Sequence, residues 1–575
     1  MGKMVPRLGL LDWMKSPSAE RGLRFLGEDG TWQTLSFTDL AARAGGTADH
    51  LRRNYGLRRN DVVILLHHTG PEFVASFFGT LAAGGTPSPL APPAAFSDTA
   101  QWVEHAAHAI GAARARYVIT DPQFAALARQ ATARSGGQCE VMEPSGICID
   151  PAALEAAAPA DLAILQFTSG SRGAVRGVRV SWENIETNLE MIKRWIVVDS
   201  IGATWLPMYH DMGLVGCMIL PVVYQMNNGL MRPDQFIQDP KGWLAEYGRH
   251  GAEVMAMPNF GFDYVVRRIT PESLHGMDFS QLKVIVTGAE RVRQSSLNAF
   301  YRLLGPHGLR WEALQPAYGL AEATLAATGV PFGESPRAVA VPAGSERMGF
   351  PLEIRAVAKS LQEVLPEVAP GSSWHVSCGR PLTGNSLTII DDHGASLPEA
   401  HVGEIVLRGP TVARGYSGDQ SHTSTRFEGG SLYTGDAGFL HDGELYVLGR
   451  IGDMLQVRGR NIYVEEVESM LSQHGLLNTP RSMVVAGFHS DLPTVLVLSQ
   501  SRIDADKAEQ AAHSVSKIVG TGVHVCVRRV PPNSIKVTSS GKPRRRVTWQ
   551  LVTTREVDSE PIACITPGTP CLKEK

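Results

Sequence analysis

The strongest signal in the chain is the segment Leu165-Gln166-Phe167-Thr168-Ser169-Gly170-Ser171-Arg172-Gly173-Ala174-Val175-Arg176-Gly177. An apolar strand runs here into a loop rich in threonine, serine and glycine. Backbone N–H groups and hydroxyls in such a loop can surround phosphate oxygens in a concave site. The spacing is neither the Walker A pattern nor the dinucleotide pattern G-x-G-x-x-G. Taken alone, the segment is as compatible with a plain flexible turn as with a phosphate site.

Around this segment, apolar runs alternate with helical patterns, which predicts an α/β fold with parallel sheets covered by helices. The clearest strands are Val62–Leu66, Ala163–Phe167, Val254–Met257 and Val284–Thr287. Each is followed by turn residues and then by helical spacing. Ser181 is a predicted N-cap. The apolar residues after it recur at helical spacing and define one helical face, at Ile185, Leu189, Ile192 and Ile196.

In the second part of the chain, the sequence pattern changes from alternating strands and helices to short strands. Short strands broken by glycine and aspartate predict a β-rich subdomain over residues 377–449, with strands at Leu387–Ile390, Glu404–Leu407 and Leu445–Val447. Glycines beside charged residues place a boundary at 450–453. The expected organisation is a large N-terminal domain (1–449), a hinge (450–453) and a smaller α/β C-terminal domain (454–552). The proline-containing tail, 553–575, is expected to be disordered.

Composition excludes several classes of protein. The chain has 575 residues, with 54 Lys and Arg against 57 Asp and Glu, for a net charge of −3. This balance gives no net basic field, so we expect no nucleic-acid partner. With 43% hydrophobic and 19% charged residues, the chain can form sizeable cores.

Targeting signals and membrane spans are not expected either. The start, Met1–Leu11, lacks the sustained apolar stretch of a secretory signal. The longest apolar run, Leu214–Tyr224, contains Pro221 and falls short of the roughly 18 residues that a span needs. The seven cysteines are scattered without a C-x-x-C pair or a cysteine/histidine cluster at zinc spacing, which favours a reducing cytoplasm.

Further segments accompany the Thr/Ser/Gly loop in a fixed order. They are Gly288-Ala289-Glu290, Tyr318-Gly319-Leu320-Ala321-Glu322-Ala323-Thr324, Tyr433-Thr434-Gly435-Asp436 with Gly449-Arg450, and Ser539-Ser540-Gly541-Lys542. In this order the chain resembles the adenylate-forming enzymes, which include acyl-CoA synthetases, peptide-synthetase adenylation domains and luciferases. The loop of that family is T-S-G-[ST]-T-G-x-P-K-G, from which Arg172, Val175 and Arg176 depart.

The resemblance implies a site residue by residue. Tyr318 would pack on adenine, Asp436 would accept hydrogen bonds from the ribose hydroxyls with support from Arg450, and a carboxylate suits such a diol. The implied ATP-binding set is Thr168, Ser169, Gly170, Ser171, Gly173, Gly177, Gly288, Ala289, Glu290, Tyr318, Gly319, Leu320, Asp436 and Arg450. Glu322 would hold Mg²⁺, which prefers hard oxygen ligands. Lys542 would reach into the site as a catalytic cation; a basic surface run is the plainer interpretation, because Arg544, Arg545 and Arg546 follow it.

The closer match is to fatty acyl-AMP ligases, over about residues 35–552. It is carried by Trp205-Leu206-Pro207-Met208-Tyr209-His210-Asp211-Met212-Gly213-Leu214 and by Met257-Pro258-Asn259-Phe260-Gly261-Phe262-Asp263 with Arg267-Arg268. The implied acyl-site residues are Met208, His210, Met212, Asn259 and Phe260. Core packing is the commoner fate of such apolar residues, and His210 is equally compatible with a packing role. Residues 345–374 correspond in position to the branch's insertion, which would restrict the C-terminal domain, although an ordinary loop insertion fits as well.

The resemblance implies activation of a fatty acid by ATP, with Mg²⁺, to acyl-AMP, followed by transfer to the phosphopantetheine of an acyl carrier protein. The small domain would rotate between the two steps about Gly449-Arg450-Ile451-Gly452, where Gly452 replaces the family's charged hinge residue. Three alternatives stay open: an acyl-CoA synthetase, an aryl or amino acid adenylation enzyme, and a degenerate nucleotide-binding protein. The last is suggested by Arg172, Val175 and Gly452 and opposed by Glu322, Asp436, Arg450 and Lys542.

Overall fold

The structure is a computed structural model. It describes residues 5–93, 99–143, 157–169, 175–198, 202–342, 345–363, 369–417, 425–457, 460–477, 481–489, 492–520, 522–537 and 543–566.

Helices and strands alternate over most of these residues. The helices, numbered in chain order, are α1 (Phe37–Arg53), α2 (Pro71–Ala82), α3 (Thr99–Ala113), α4 (Ala125–Arg134), α5 (Trp182–Ile196), α6 (Leu220–Val223), α7 (Pro233–Gln238), α8 (Pro240–Gly248), α9 (Asn259–Arg268), α10 (Gln294–Leu304), α11 (Val464–Gln473), α12 (Ala505–Val519) and α13 (Arg545–Thr553). A π-helical segment, Met212–Ile219, leads directly into α6.

The strands are numbered in the same way. They are β1 (Gly22–Leu26), β2 (Trp32–Ser36), β3 (Val62–Leu66), β4 (Thr86–Pro89), β5 (Tyr117–Thr120), β6 (Glu140–Met142), β7 (Ile164–Ser169), β8 (Val175–Val180), β9 (Ala203–Thr204), β10 (Asn228–Leu230), β11 (Val254–Ala256), β12 (Val284–Thr287), β13 (Leu314–Gly319), β14 (Ala326–Gly329), β15 (Ala338–Pro342), β16 (Ala356–Ala358), β17 (Ser372–Val376), β18 (Arg380–Pro381), β19 (Ser386–Ile390), β20 (Gly403–Arg408), β21 (Tyr416–Ser417), β22 (Arg426–Glu428), β23 (Ser431–His441), β24 (Glu444–Arg450), β25 (Met454–Val457), β26 (Arg460–Tyr463), β27 (Ser482–His489), β28 (Leu492–Ser499), β29 (His524–Arg529) and β30 (Glu560–Ile565).

Parallel sheets form the N-terminal part, which confirms the predicted α/β class. One sheet has the order β4-β3-β5-β6 with parallel neighbours. Another begins with parallel β11, β12 and β13 and continues with antiparallel β14 and β18. The carboxyl ends of β12 and β13 lead into two of the segments that the sequence singles out, because ligand-binding loops follow strand ends in such sheets.

The strand at 164–169 differs from the prediction. It pairs antiparallel with β8, and β8 pairs antiparallel with β21, so β7 belongs to a hairpin instead of a parallel sheet. The reason is the segment after the loop, Val175–Val180, which forms a second strand before the helix begins at Trp182. The helix itself is as predicted: Ser181 caps it in a capping box with Asn184, and its apolar face is buried.

Within the region predicted to be β-rich, the structure has a sheet of order β19-β20-β23-β22, with β24 paired to β23. A separate three-stranded antiparallel sheet, β16-β15-β17, precedes it. The segment 345–374, which the sequence left open between an ordinary loop and a branch-specific insertion, supplies β16 and the start of β17 to this sheet.

The C-terminal part is smaller and has its own core. The sheet β27-β28-β29-β30 carries α11 and α12 against one face and α13 against the other. Val495, Val525 and Val527 face α12 in the first cluster, whereas Met483, Cys526 and Val552 lie in the second. A sheet with two covered faces explains why these strands are apolar on both sides.

The expectation of a disordered tail over 553–575 is wrong where the structure describes it. Residues 560–565 form β30, an edge strand paired with β29. Ile562, Ala563 and Ile565 pack against the small core, which explains the ordering despite Pro561, since an edge strand tolerates a missing N–H group. Residues 567–575 lie outside the described part.

Two of the scattered cysteines meet in this edge. Cys526 and Cys564, opposite each other on β29 and β30, form a disulfide, and His524 lies within 4.8 Å of both sulfurs. A separation of 38 residues hides this pairing from sequence spacing. Throughout the described ranges, none of the helices is both long enough and apolar enough to cross a membrane.

Candidate active site

The Thr/Ser/Gly loop is held by the hairpin of β7 and β8. Thr168 pairs with Arg176 and Ser169 with Val175 on either side of the loop. A Cβ atom at Gly177 would lie 2.6 Å from Leu165 and 2.7 Å from the Ser417 hydroxyl, so only glycine fits between the two neighbouring strands. Gly170, Ser171 and Gly173 lie outside the described residues. The structure therefore describes the base of the loop and both strands that enter it.

Tyr318, Asp436 and Arg450 converge as the sequence predicts. The Tyr318 hydroxyl donates to Asp436 Oδ2 at 2.6 Å, and Arg450 Nε lies 2.8 Å from Asp436 Oδ1. Asp436 and Arg450 are cross-strand partners on β23 and β24, which fixes the ion pair. Burial and then the negative charge of Asp436 raise the pKa of Tyr318, so its hydroxyl stays protonated and donates.

Arg450 is held from a second side. Its Nη1 donates to the Thr434 carbonyl at 2.9 Å and to the Thr425 hydroxyl at 3.2 Å. The charge of Asp436 raises the pKa of Arg450 above its ordinary value. A carboxylate offers about four lone-pair sites, so Asp436 keeps acceptor capacity after these two contacts.

Glu322 lies in a short turn after β13 and is buried, with 6% of its surface exposed. The hydroxyl of Tyr416 donates to its Oε1 at 2.6 Å. Tyr416 belongs to β21 and pairs with Val178 of β8, so Glu322 stands beside the strand that leaves the Thr/Ser/Gly loop. Arg176 is also buried there, with its guanidinium 5.8 Å from the centre of the Tyr416 ring.

The segment Gly288-Ala289-Glu290 follows β12. The backbone at Ala289 is left-handed, with φ of 67°, and Asn259 holds the segment by donating its backbone N–H to Glu290 Oε1 at 2.9 Å. The next residue, Arg291, lies with Nη2 3.2 Å from Nδ1 of His375, whose Nε2 is 3.0 Å from Glu346 Oε1. This buried chain joins the segment to the β16-β15-β17 sheet.

An apolar pocket opens beside the two segments that follow β12 and β13. It contains about 820 Å³ of empty space, including its open mouth. Gly288, Ala289, Tyr318 and Gly319 line one part of it. The other part is lined by apolar side chains of α5, the π-helical segment and the start of α6, which include Ile192, Trp195, Ile196, Met212, Cys217 and Leu220. One cavity therefore runs from the predicted nucleotide residues into an apolar interior.

Only one of the five predicted acyl-site residues lines this pocket, namely Met212. Met208 is buried in the large core, and His210 Nδ1 lies 2.7 Å from Asp211 Oδ1. Asn259 positions the loop over 290–293, and Phe260 packs near Trp205 with ring centres 6.3 Å apart. These four residues support neighbouring segments.

Leu320 is buried behind the nucleotide residues, and Gly319 is required sterically, since a Cβ there would lie 1.9 Å from the Leu325 carbonyl oxygen. Lys542 lies outside the described residues, but its loop is closed by a β-bridge between Val537 and Pro543. Gly452 is the middle residue of a 3₁₀ turn, Ile451–Asp453, directly after β24.

The sequence alone did not single out the pocket-lining residues Trp195 and Cys217 or the Glu322 partner Tyr416. Helical spacing placed Ile192 and Ile196 on one face of α5, but that signal cannot tell core packing from a pocket wall. A tyrosine that donates to a carboxylate 94 residues away leaves no local pattern.

Comparison with known proteins gives similarity over nearly the whole chain. The sequence model of the family described as AMP-binding enzyme matches residues 17–417. A 4-hydroxyphenylalkanoate adenylyltransferase of Mycobacterium marinum is 30% identical over 563 residues, covering 90% of this chain and 85% of that protein. A medium-chain-fatty-acid–[acyl-carrier-protein] ligase of Moorena producens is 30% identical over 544 residues, covering 89% of this chain and 88% of that protein.

A solved structure from studies of fatty acyl-adenylate ligases of E. coli and L. pneumophila is similar in fold. It has a TM-score of 0.83 and 28% sequence identity, and it covers 96% of this chain and 99% of its own. The similarity extends over both the large and the small part.

Proposed function

Because this chain belongs to the AMP-binding enzyme family, within its fatty acyl-AMP ligase branch, we propose that it activates a fatty acid with ATP to acyl-AMP and pyrophosphate. The acyl group then passes to the phosphopantetheine thiol of an acyl carrier protein, in polyketide- or lipopeptide-type biosynthesis in the cytoplasm. The observation that carries the proposal is the single pocket that joins the Gly288 and Tyr318 segments to an apolar interior. A nucleotide at its mouth places the α-phosphate next to an acid whose chain lies inside.

The ribose would be held by Asp436. Two of its lone-pair sites face Tyr318 and Arg450, and the remaining sites suit the two hydroxyls of a vicinal diol. Arg450 is itself fixed by Thr425 and Thr434, so the carboxylate is oriented before the nucleotide arrives. Preorganised acceptors of this kind lower the entropy lost on binding.

The phosphates would be held by the loop between β7 and β8, with Thr168, Ser169, Gly170, Ser171, Gly173 and Gly177. Glu322 fits Mg²⁺, because it is a buried hard-oxygen ligand whose position is fixed by Tyr416. The ion would supply neutralisation of phosphate charge when bound. Glu322 therefore serves as the metal-binding carboxylate next to the loop.

Lys542 would bring its ammonium group to the reacting atoms. An oxygen of the acid's carboxylate forms a bond to the α-phosphorus while the bond to the bridging oxygen breaks, and pyrophosphate leaves. A cation at about 4 Å in an effective dielectric near 20 is worth roughly 4 kcal/mol against developing charge. Catalysis then rests on positioning and charge neutralisation without a protein nucleophile.

In the second step, the carrier's thiol loses its proton, its sulfur bonds to the acyl carbon, and AMP leaves. Residues 345–374 support a carrier protein over coenzyme A as acceptor. Their sheet packs with Tyr463 of the small part, whose hydroxyl lies 3.9 Å from the sulfur of Met348. This contact ties the C-terminal part to the segment that corresponds to the branch's insertion.

The acyl chain would lie against α5 and the π-helical segment. Met212 lies there with Ile192, Trp195 and Ile196, and polar side chains are few. An aryl-terminated acid is the second candidate, because a 30% identical relative is named for 4-hydroxyphenylalkanoates.

Pyrophosphate exchange into ATP, driven by a panel of fatty, aryl-alkanoic and amino acids, tests the proposal. Exchange with fatty acids, followed by discharge of the adenylate onto a carrier protein and not onto coenzyme A, is the expected result. Discharge onto coenzyme A would identify an acyl-CoA synthetase. ATP binding without exchange for any acid would identify a degenerate nucleotide-binding protein.

A further inference from the structure

Arg545 lies at the centre of a buried charge cluster. It is the first residue of α13 and follows Lys542 by three positions. Its Nη1 is 3.0 Å from Glu465 Oε1 and 4.0 Å from Asp453 Oδ2, and its Nη2 is 2.6 Å from Glu468 Oε2. The side chain is 10% exposed. One guanidinium is thus shared by carboxylates from the Ile451–Asp453 turn and from α11.

This arrangement is unfavourable for stability. A cation at a helix N-terminus opposes the helix dipole. Three carboxylates around one cation also leave a local excess of negative charge, and burying ions costs several kcal/mol each. Burial and then the charge of Glu465 raise the pKa of Asp453 to about 6, in spite of Arg545 and Arg450. Burial likewise raises the pKa of Glu465.

The partners of Arg545 lie where the large and small parts meet. Asp453 comes three residues after Arg450, which pairs with Asp436. Glu465 lies against the backbone of Gly449, because a Cβ there would be 2.9 Å from Glu465 Oε2. Arg291, next to the Gly288-Ala289-Glu290 segment, also acts on Glu465 by its positive charge. Through Glu465, the cluster therefore lies against Gly449 and is within reach of the charge of Arg291.

Arg545 also terminates the loop that carries Lys542. That loop is closed by the bridge between Val537 and Pro543 and by the Arg544 N–H, which donates to the Lys536 carbonyl at 2.8 Å. The residue after this bridge is near the large part: burial lowers the pKa of His105 on α3, and the charge of Arg544 lowers it further. Arg545 is part of the basic run after Lys542, but its side chain is buried and pairs with Glu465 and Glu468, so it is not a solvated surface residue.

We propose that Arg545 is a positioning residue for adenylation, which fixes the Lys542 loop to the hinge turn and to α11 so that Lys542 meets the nucleotide site in one orientation. The inference rests on the function proposed above. Arg545 acts through Lys542 and not on the substrate. Its loss is expected to slow the chemical step and to leave the ground-state binding of ATP intact, because Tyr318 and Asp436 belong to the large part.

The test compares Arg545→Ala and Arg545→Lys with Arg546→Ala, an exposed neighbour, in fatty-acid-dependent pyrophosphate exchange by the full chain. Arg545→Ala is expected to lower kcat about 100-fold, the scale of an ångström-sized misplacement, with KM for ATP within about threefold. Arg545→Lys should recover part of the loss, since the charge returns without the planar fork. Arg546→Ala should stay within about twofold of the wild type.

Thermal unfolding of each variant shows whether the small part is folded. If Arg545→Ala is unfolded, Glu468→Gln removes one ion-pair partner and keeps Arg545; a fall in kcat without a rise in KM supports the proposal. Unchanged kcat in folded Arg545→Ala, or unchanged kcat in Glu468→Gln, overturns it. A wild type that exchanges with an aryl acid in place of fatty acids corrects the substrate class alone, and the same variants are then compared with that acid. No exchange with any acid overturns both.

Discussion

At the scale of single residues, the Glu322 carboxylate is buried and held by one tyrosine, so we expect it to remain free to bind Mg²⁺. Among the described residues, the Tyr416 hydroxyl donates a hydrogen bond to this carboxylate at 2.6 Å, and Tyr416 lies on β21, next to the strand that leaves the Thr/Ser/Gly loop. We predict that Glu322→Gln lowers the rate of pyrophosphate exchange by about 100-fold or more, because the anionic ligand is lost while the hydrogen bond from Tyr416 can persist. Exchange measured against Mg²⁺ concentration checks this.

Tyr416→Phe is the matched control, since it removes the hydrogen bond and keeps the carboxylate. Its loss should stay below about tenfold, in line with one hydrogen bond of about 1 kcal/mol. Full exchange by Glu322→Gln at low Mg²⁺ would contradict the assignment of this residue to the metal.

Asp453 gives a prediction on pH. Its pKa is raised by burial, then by Glu465, to about 6, above the ordinary 3.8. The folded protein therefore holds this proton more tightly than the unfolded chain, so stability is fully present below about pH 4 and is lost as pH rises through about 6. Two pKa units correspond to about 3 kcal/mol, and Asp453→Asn should regain up to about that much at pH 8.

Denaturant unfolding of Asp453→Asn and wild type at pH 4.5 and pH 8 measures the difference. The gain should shrink as pH falls, because the wild-type carboxyl is then protonated and resembles the amide. An equal gain at both pH values would mean that the side chain acts through packing and not through its charge.

Sequence could predict the polar half of the site at this scale. Tyr318, Asp436 and Arg450 stand in short segments whose order resembles the adenylate-forming enzymes, and the structure brings them within hydrogen-bond distance. The apolar half could not be predicted equally well. Met208 and Met212 have the same chemistry and lie four positions apart, yet one is buried in the core and the other lines the pocket. That difference depends on the path of the π-helical segment, which periodicity does not encode.

At the scale of elements, β30 shows a limit of composition. Proline and polar residues predicted disorder, but pairing with β29 and contacts of Ile562 and Ile565 outweigh that composition. By contrast, β12 and the face of α5 were predicted correctly, because apolar runs and helical spacing are local signals. The hairpin of β7 and β8 was missed because strand partners are chosen by tertiary structure.

Truncation tests the role of β30. A chain ending at Asp558 loses the edge strand and its apolar contacts, so we expect the small part to lose about 3 kcal/mol. Hydrogen exchange followed by mass spectrometry should show faster exchange over β29 and α12. A chain ending at Thr566 keeps the strand and should exchange like the full chain, and Cys564→Ser separates the disulfide from the strand. Unchanged protection after removal of β30 would contradict the prediction.

At the scale of the whole molecule, the small part takes part in both adenylation and acyl transfer. In the structure, Arg545 lies beside Asp453 in the turn after β24, and the charge of Arg544 acts on His105 of α3. Transfer requires the thiol of a carrier to reach the acyl carbon of the adenylate, so we expect the small part to move between the two reactions. Glu465, Glu468 and Arg545 follow the Ile451–Asp453 turn, whereas Arg450 precedes it and pairs with Asp436. We therefore expect rotation of the small part to occur at residues 451–453, which lie between these two groups.

Gly452 is the middle residue of the 3₁₀ turn Ile451–Asp453. Proline can adopt the φ angle of a 3₁₀ turn. Gly452→Pro should therefore preserve the arrangement of the small part seen in the structure and resist its rotation. We predict pyrophosphate exchange within about threefold of wild type and a transfer rate to the carrier lower by about 10- to 100-fold, as expected when a hinge motion limits turnover. Discharge of preformed acyl-AMP onto the carrier thiol measures the second quantity alone. Gly452→Ala, which retains freedom in φ and ψ, is the control and should transfer nearly normally. Equal losses in exchange and transfer would contradict this prediction, because they would show that the substitution disturbs the turn itself and does not act on rotation alone.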